Sequence, residues 1–370
     1  MTDRIHILQV VQGLDFGGLE RVVCNLAKFL DPQRFQCDVL CLRHFGRNAD
    51  ELKNSGITVT SFDMGRGKNL SIPRQLAALI QRGKYHIVHS HDTTPLLYTA
   101  LAKIFHSKFL HVYTEHSGIY SCLSRHRLMT GVALCTVEHA VMVSQDLLNY
   151  YKSHFHFPQP EMSLIYNGLE FIPAPLDARA SVCREFDIPP QSLVIGTAVR
   201  FYPQKGLRYL IEAIPLILQK NPEARFLLVG DGVERQMLEQ LADNSGVRNN
   251  IIFTGYRSDI SRLIGAMDVY VLPSLWEGLP LSLIEALMVK KAIVATAVGG
   301  NRELVEDGVS GFIVPPRDST SMANKINLLL GSERLRCDMA ERGSIFAHDN
   351  FKLEQMIHSY ENLFANLTGK

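Results

Sequence analysis

Residues 268–285 read DVYVLPSLWEGLPLSLIE, and this stretch decides the fold. Its first part, Asp268–Ser274, is a short apolar run that predicts a buried strand. A turn marked by glycine and proline follows, and then an apolar helical run. Glu277 thus falls at the turn and Glu285 eight residues later, close to two helical turns. In a parallel α/β sheet Glu277 would lie at the carboxyl edge, where ligands bind, and both carboxylates would point into one cleft. A plain helix start with Glu285 on the surface remains open at this point.

Length and composition narrow the class of protein. A chain of 370 residues with 46% hydrophobic and 20% charged residues predicts a globular protein of two domains. The net charge of +1 gives no general field for nucleic acid or membranes. We find neither a signal peptide nor an apolar run of the ~20 residues that span a bilayer. Seven scattered cysteines form no CxxC pair, so we expect a cytoplasmic protein without a disulfide framework.

Apolar strand-like runs alternate with helical stretches along the whole chain. This pattern predicts an α/β fold of doubly wound parallel sheets. The alternation stops at a proline-rich segment and then restarts, so we expect two Rossmann-like domains around a cleft that serves as the default ligand site. The predicted parts are residues 1–170 as an acceptor-side domain, 171–192 as a linker, 193–345 as a nucleotide-sugar-binding domain, and 346–370 as a C-terminal helix that packs back toward the first domain. The strand candidates are Ile5–Gln12, Cys37–Leu42, Ile57–Phe62, Ile87–His91, His111–Glu115, Ala140–Ser144, Leu193–Val199, Arg225–Val229, Ile251–Thr254, Asp268–Leu272 and Ala292–Ala295.

Several predicted loops carry residue types that suit a phosphate ligand. Gly17 and Gly18 follow the first strand, where free backbone N–H groups at a helix start favour an anion. Arg200 and Lys205 follow the first strand of the second half, and two cations at this spacing can hold a diphosphate. Glycines follow two further strands, at Gly230, Gly232 and Gly255. Each loop alone is also compatible with an ordinary turn, and residues 308–316 look like hairpin-type turn chemistry.

Histidines end two strands of the first half. His116 could hydrogen-bond a sugar hydroxyl, or it could simply pack at a strand end. His89 and His91 alternate on a strand as metal ligands do, but no third ligand lies at suitable spacing, which favours a structural role. The chain contains no Asp-x-Asp, so we expect no metal site.

Taken together, these motifs resemble the retaining glycosyltransferases of family 4 (glycosyl transferases group 1), which have the GT-B fold. The resemblance covers nearly the whole chain. The matching segments, in chain order, are Gly17-Gly18-x-Glu20, Asn167-Gly168, Arg200 to Lys205-Gly206, Gly230-x-Gly232, Pro273-Ser274 with Glu277-Gly278-x-Pro280, the pair Glu277 and Glu285, and Gly299-Gly300 through Gly311.

The resemblance implies roles for individual residues. Arg200 and Lys205 would bind the donor diphosphate and stabilise it as the leaving group. Glu277 would contact the transferred sugar, Glu285 the ribose, and His116 the donor sugar. Backbone contacts to sugar, phosphate or acceptor would come from Gly17, Gly18, Gly230, Gly232, Gly278, Leu279, Pro280 and Leu281.

The predicted function is therefore a metal-independent hexosyltransferase of the retaining type, with a nucleotide-sugar donor and a sugar or lipid-linked acceptor. A UDP-sugar is preferred over a GDP-sugar, and no further cofactor or nucleic acid is expected. Fixed cations would balance the charge of the departing diphosphate. A sugar-nucleotide 2-epimerase and a non-catalytic nucleotide-sugar-binding protein are the alternatives.

A group of basic residues in the first half bears on the acceptor. These residues could dock an acceptor at the inner face of an anionic membrane, or they could form a solvated basic face. They are Arg66, Lys68, Arg74, Arg82, Lys84, Arg125, His126 and Arg127.

Overall fold

The structure is a computed structural model of the chain. It describes residues 4–15, 17–65, 69, 71–118, 124–155 and 158–369, without the side chains of residues 124–126. Arg66, Lys68, Cys122 and the side chains of Arg125 and His126 therefore lie outside the described residues. The chain divides into two compact units: residues up to Gly168 together with those from Leu353 onward form the first, and Leu169–Lys352 form the second.

The described part of the first unit contains a parallel seven-stranded sheet in the order β3-β2-β1-β4-β5-β6-β7. Its elements are β1 (Ile5–Gly13), α1 (Gly18–Phe29), β2 (Phe35–His44), α2 (Asn48–Asn54), β3 (Val59–Ser61), α3 (Ile72–Gly83), β4 (Ile87–His91), α4 (Thr93–Ala102), β5 (Leu110–Glu115), α5 (Ser124–Leu134), β6 (His139–Met142), α6 (Gln145–His154) and β7 (Glu161–Leu164).

The second unit contains a parallel six-stranded sheet in the order β10-β9-β8-β11-β12-β13. Its elements are α7 (Ala178–Glu185), β8 (Val194–Ala198), α8 (Leu207–Leu218), β9 (Arg225–Val229), α9 (Arg235–Asn244), β10 (Ile251–Gly255), α10 (Ile260–Gly265), β11 (Val269–Leu272), α11 (Leu281–Met288), β12 (Ala292–Thr296), α12 (Asn301–Leu304), β13 (Phe312–Val314), α13 (Ser319–Leu330) and α14 (Glu333–Asn350). The last helix, α15 (Leu353–Thr368), belongs to the first unit.

The prediction of two doubly wound parallel α/β sheets is confirmed. The central strands are apolar on both faces because helices cover both, as β8 and β11 show with every residue buried. In the second unit one large apolar core combines Phe201 before α8, Phe226 of β9 and Ile326 of α13. After β13 the described residues are mostly helical, as α13, α14 and α15.

Two strands differ from the prediction. β7 was not predicted. Residues 308–310 form the predicted turn, with the Gly308 N–H donating to the Gly311 carbonyl at 2.8 Å, but the strand that follows, Phe312–Val314, pairs in parallel with β12 as an edge strand. Both strands are short and flanked by glycine or proline, so their local pattern is that of a turn. No helix in the described ranges is long and apolar enough to cross a membrane.

The order of each sheet reverses at one place, between β1 and β4 in the first unit and between β8 and β11 in the second. The loops that follow the two strands at such a reversal run in opposite directions and leave a crevice at the carboxyl edge. Open α/β sheets bind their ligands in this crevice. The loops after β1, β4, β8 and β11 therefore define where a site is expected in each unit.

Candidate active site

The loop after β8 carries both predicted cations of the second unit. It leaves the strand at Ala198, forms one turn of 3-10 helix at Pro203–Lys205, and enters α8 through Gly206. Gly206 has a φ of 59°, and a Cβ at this position would lie 2.3 Å from the carbonyl oxygen of Pro273. A glycine is therefore required here, because it lets the loop after β8 lie against the loop after β11.

Backbone and side-chain hydrogen bonds join these two loops. The Leu275 N–H donates to the Gln204 carbonyl at 2.7 Å, and the Gln204 amide nitrogen donates to the Trp276 carbonyl at 3.0 Å. Together with Gly206, they fix the position of Lys205 relative to the residues that follow β11.

At the centre of this contact Lys205 meets Glu277. The Lys205 Nζ lies 2.5 Å from Glu277 Oε1, and the Ser274 hydroxyl donates to the same oxygen at 2.6 Å. Glu277 is buried and the Lys205 side chain is only 15% exposed. Because burial strengthens such an ion pair and raises the cost of losing one partner, both side chains are held firmly in place.

The loop after β12 supports Glu277 from a second direction. Gly299 has a φ of 49°, and a Cβ there would lie 2.0 Å from the Glu277 carbonyl oxygen. The Gly300 N–H donates to the Gly278 carbonyl at 2.8 Å, and the Thr296 hydroxyl donates to the Ser274 carbonyl at 2.6 Å. The resemblance had suggested the glycine pair, but its contact with Glu277 is visible only in three dimensions.

The segment that leads from Glu277 into α11 is buried. Its residues are Gly278, Leu279, Pro280 and Leu281. Glu285 is half-buried on α11, and its charge acts on the buried Tyr270 of β11. The pKa of Tyr270 is raised to about 12, chiefly by burial and to a lesser degree by Glu285. Since α11 begins at Leu281, only the second half of the segment from Glu277 to Glu285 is helical. The distance between the two carboxylates therefore cannot be calculated from the rise per residue of a helix.

The remaining predicted residues of the second unit lie at the same edge of the sheet. Arg200 is exposed, with its guanidinium carbon 5.4 Å from the centre of the Tyr202 ring. The neighbouring Phe201 N–H donates to the Asp231 carbonyl at 2.8 Å, so the Gly230-to-Gly232 loop after β9 lies beside the loop of Arg200. The structure thus brings the loops of Arg200, Lys205, Gly230, Gly232 and Glu277 together at the carboxyl edge, and Glu285 follows on α11.

In the first unit, Gly17 and Gly18 lie where predicted, between β1 and α1. Gly17 is extended, α1 starts at Gly18, and none of the described side chains caps this helix start. Gly18 is exposed, so its backbone is accessible to a ligand.

His116 directly follows β5 and is 8% exposed. Its backbone N–H donates to Asp92 Oδ1 at 2.9 Å, and Asp92 itself adopts a φ of 63° at the start of α4. On the side-chain side, His116 Nε2 lies 2.9 Å from His91 Nδ1, and His91 Nε2 lies 2.7 Å from Gln9 Oε1. The sequence favoured a structural role for His91, and in the structure its ring is hydrogen-bonded to both Gln9 and His116.

With Gln9 Oε1 turned toward His91, these contacts favour one tautomer of His116. Burial lowers the pKa of His116 to about 3, and burial followed by His89 and His116 lowers that of His91. Both rings are therefore neutral at pH 7. The Gln9 carbonyl oxygen accepts from His91 Nε2–H, so His91 Nδ1 accepts from His116 Nε2–H, and His116 Nδ1 keeps its lone pair. This nitrogen is buried and has no hydrogen-bond partner among the described residues.

Glu115 is a site residue that the sequence did not single out, although it precedes His116. Its buried carboxylate accepts from the Tyr151 hydroxyl at 2.6 Å and from the Tyr113 hydroxyl. It also accepts from the backbone N–H groups of Ser117 and Gly118, at 3.1 and 3.2 Å. Glu115 therefore fixes the loop that begins with His116, and together with burial it raises the pKa of Asp92. Within the described ranges, no three His, Cys, Asp or Glu side chains are grouped as metal ligands.

Comparison with protein families gives two matches that together cover most of the chain. Residues 16–171 match the model described as Glycosyltransferase Family 4, and residues 182–345 match the model described as Glycosyl transferases group 1. The second match contains Arg200, Lys205, Glu277 and Glu285.

Among characterised relatives, the chain is 27% identical over 84% of its length to an Escherichia coli UDP-Gal:alpha-D-GlcNAc-diphosphoundecaprenol alpha-1,3-galactosyltransferase, of which 84% is covered. It is 24% identical over 81% of its length to N-acetyl-alpha-D-glucosaminyl L-malate synthase of Bacillus anthracis, of which 79% is covered. Among solved structures, HepE of Anabaena in complex with UDP and glucose superimposes with a TM-score of 0.86, at 24% identity over 98% of this chain and 100% of that one. That last likeness concerns the fold.

Proposed function

Because this chain belongs to the family 4 and group 1 glycosyltransferases, enzymes with the GT-B fold that transfer a sugar from a nucleotide sugar, we propose that it is a retaining hexosyltransferase for a UDP-sugar. The proposed acceptor is a hydroxyl of a growing surface polysaccharide or glycolipid. The names of the relatives support the proposed donor and the proposed acceptor. The Escherichia coli protein is named for UDP-galactose and for an undecaprenol-linked acceptor, and HepE was crystallised with UDP.

The observation that carries the proposal is the buried group of Lys205, Glu277 and Ser274 at the carboxyl edge of the second sheet. In our account the ammonium of Lys205 binds the donor diphosphate on one side while Glu277 orients it on the other. Arg200, which is exposed nearby, supplies the second cation. Together the two cations stabilise the charge that develops on the leaving diphosphate.

The carboxylates have a positioning role in this proposal. Glu277 accepts a hydrogen bond from a hydroxyl of the transferred sugar, and Glu285 accepts from the ribose hydroxyls. The backbone at Gly230, Gly232 and Gly278–Leu281 gives the donor a close approach. In the first unit, the lone pair on His116 Nδ1 accepts from a sugar hydroxyl, and exposed Gly18 offers backbone contacts to donor or acceptor.

The proposed mechanism keeps the anomeric configuration. The acceptor hydroxyl attacks the anomeric carbon on the face from which the diphosphate leaves, and the departing phosphate oxygen takes the acceptor proton. The bond from the anomeric carbon to the phosphate oxygen breaks as the new glycosidic bond forms. In this mechanism Glu277 is no nucleophile: Lys205 and Ser274 hold its Oε1, and the carboxylate serves as a hydrogen-bond acceptor for the sugar.

Two measurements test the proposal. A thermal-shift series with UDP, GDP and ADP in the presence of EDTA should give the largest rise in melting temperature with UDP, because a ligand of the native state stabilises it. Proton NMR of the product should then show the anomeric configuration of the donor sugar. An inverted product would overturn the retaining mechanism, and a UDP-sugar converted to its 2-epimer without acceptor would favour an epimerase.

We also propose that the reaction takes place in a reducing compartment, the cytoplasm. The six cysteines in the described ranges are all free, which supports this location.

A further inference from the structure

Asp92 directly follows β4 and has a backbone conformation that ordinarily belongs to glycine. Its φ is 63° and its ψ is 173°, a region in which an L side chain is strained. Both of its backbone groups are engaged, since its N–H donates to the Thr114 carbonyl at 3.0 Å and its carbonyl accepts from the Leu96 N–H at 3.2 Å. A single residue must therefore turn the chain from β4 into α4, and the sequence places an aspartate where glycine would fit without strain.

The side chain of Asp92 does not serve the helix that it precedes. Aspartate is favoured at such a position because its carboxylate usually accepts from N–H groups of the first helical turn. At the start of α4, a helix that is described throughout, the Asp92 side chain makes no such hydrogen bond. Its Oδ1 accepts instead from the His116 N–H, at 2.9 Å, in the loop after β5. The strained residue is thus used for a contact with the neighbouring loop.

Two carboxyl groups hold the loop that begins with His116. The first is Asp92, on the His116 N–H. The second is Glu115, whose Oε1 accepts from the next two backbone N–H groups, those of Ser117 and Gly118, at 3.1 and 3.2 Å. Burial and the neighbouring Glu115 raise the pKa of Asp92, because two charged carboxylates side by side repel each other. Backbone strain and this repulsion both lower stability, and features of this kind are retained at functional sites.

We propose that Asp92 is a positioning residue for His116. The backbone N–H of His116 is held by Asp92, and its ring is held by His91 through Nε2. Fixed at these two points, the ring keeps the orientation in which Nδ1 accepts from a sugar hydroxyl. The role needs the acceptor oxygen of Asp92 and not its negative charge. The inference rests on the proposed function, because the sugar contact of His116 belongs to it.

Two substitutions separate the acceptor oxygen from the backbone strain. Asp92→Gly removes the oxygen and relieves the strain, so its melting temperature should stay within about 5 °C of that of the wild type or rise. Its kcat should fall at least about tenfold, because a misplaced group contributes little to the reaction. Asp92→Asn keeps an oxygen for the His116 N–H, and its kcat should stay within about threefold of the wild type. The affinity for UDP should be unchanged in both variants, since the cations for the diphosphate lie in the second unit.

Asp187→Gly is the matched control. Asp187 is an exposed aspartate of the second unit with a φ of 52°, so the same substitution relieves a positive φ elsewhere and should leave kcat unchanged. Coupling to His116 tests the proposal further, because the effects of residues that act through one another are not additive. In a His116→Ala background, Asp92→Gly should lower kcat by less than about twofold.

A kcat of Asp92→Gly equal to that of the wild type would overturn the proposal. A loss in the His116→Ala background as large as in the wild-type background would do the same. A loss in Asp92→Asn as large as in Asp92→Gly would assign the role to the charge and contradict the proposal. A melting temperature of Asp92→Gly below the stated range would show that Asp92 mainly holds the fold.

Long-range proton–nitrogen NMR of the His116 ring needs no substrate and separates this proposal from the proposed function. The ring signals should change in Asp92→Gly and return to those of the wild type in Asp92→Asn. That result without turnover of any UDP-sugar would leave the positioning of His116 supported and the proposed function refuted. Turnover by the wild type with unchanged His116 signals in Asp92→Gly would refute the positioning role alone.

Discussion

Lys205 and Glu277, 72 residues apart in sequence, form a 2.5 Å ion pair in which the carboxylate is buried and the ammonium nearly so. The pair joins the loops after β8 and β11, the two strands that flank the reversal in the order of the second sheet. The Ser274 hydroxyl holds the same carboxylate oxygen. A fixed cation with a fixed acceptor beside it suits a ligand that carries both a diphosphate and sugar hydroxyls.

We predict that Lys205→Ala impairs both stability and turnover. Loss of the ammonium leaves a buried carboxylate without its cation, which should cost about 3 kcal/mol in the free energy of unfolding. Turnover of the UDP-sugar should fall about 100-fold, the scale seen when one stabilising donor of a transition state is removed. Urea denaturation followed by fluorescence of Trp276, the single tryptophan, measures the first effect.

The double variant Lys205→Ala/Glu277→Gln separates the two effects. It should recover much of the stability, because the buried charge is gone, while turnover stays low. Recovery of both stability and turnover would mean that the ion pair of Lys205 and Glu277 has only a structural role. Lys103→Ala, which breaks the 2.5 Å pair with Glu138 in the first unit, is the control and should leave turnover near that of the wild type.

A second prediction concerns the close approach at Gly206. Gly206→Ala places a Cβ against the Pro273 carbonyl and should destabilise the second unit by about 2 kcal/mol or more while displacing Lys205. Gly246 has a similar φ of 67° but open space around it, so Gly246→Ala should cost only about 1 kcal/mol and keep UDP binding. Equal effects of the two substitutions on UDP binding would contradict the assigned role of the loop.

The third prediction is a pH dependence of the first unit. Burial lowers the pKa values of His111 and His116 to about 3, against about 6.5 in the unfolded chain. Between pH values of about 3 and 6.5 the unfolded state binds more protons than the folded state, so the free energy of unfolding rises with pH. The stabilising contribution of these neutral histidines is fully present above about pH 6.5. Each histidine contributes up to about 1.4 kcal/mol per pH unit.

Hydrogen exchange of β4 and β5 amides, corrected for intrinsic rates, measures this dependence. Protection should fall as the pH is lowered from about 6.5 to 4. His116→Gln should reduce the slope of the free energy of unfolding against pH by the contribution of about one proton. A slope that His116→Gln leaves unchanged would show that His116 is charged in the folded protein.

A fourth prediction concerns the proton on His116. With the Gln9 carbonyl oxygen at 2.7 Å from His91 Nε2, the contacts place the proton of His116 on Nε2. Long-range proton–nitrogen NMR at pH 7 should show an unprotonated Nδ1 in His116. Gln9→Leu removes the group that orients His91 and should give a mixture of tautomers with a several-fold higher KM. A protonated Nδ1 in the wild type would exclude the proposed acceptor role.

The sequence predicted the fold well because most of its strands are continuous apolar runs between helices. β7 and β13 were missed because edge strands of three or four residues beside glycine or proline resemble turns. Arg200, Lys205 and Glu277 could be proposed as site residues from the sequence because they lie in loops that follow strands.

The contacts among these residues could not be predicted from spacing alone. The ion pair depends on which strands are neighbours, and the order β8-β11 is a property of the whole sheet. Glu115 was missed for a related reason: next to a histidine at a strand end it has no distinctive pattern, and its role depends on tyrosines of β5 and α6.

A calorimetric titration of UDP into the full chain with EDTA present tests directly whether Lys205 and Arg200 hold the diphosphate without a metal ion. We predict binding without metal, at least about tenfold weaker binding by Lys205→Ala and by Arg200→Ala, and unchanged binding by the control Arg334→Gln. Binding of UDP that needs a divalent cation, or that neither Lys205→Ala nor Arg200→Ala weakens, would contradict it.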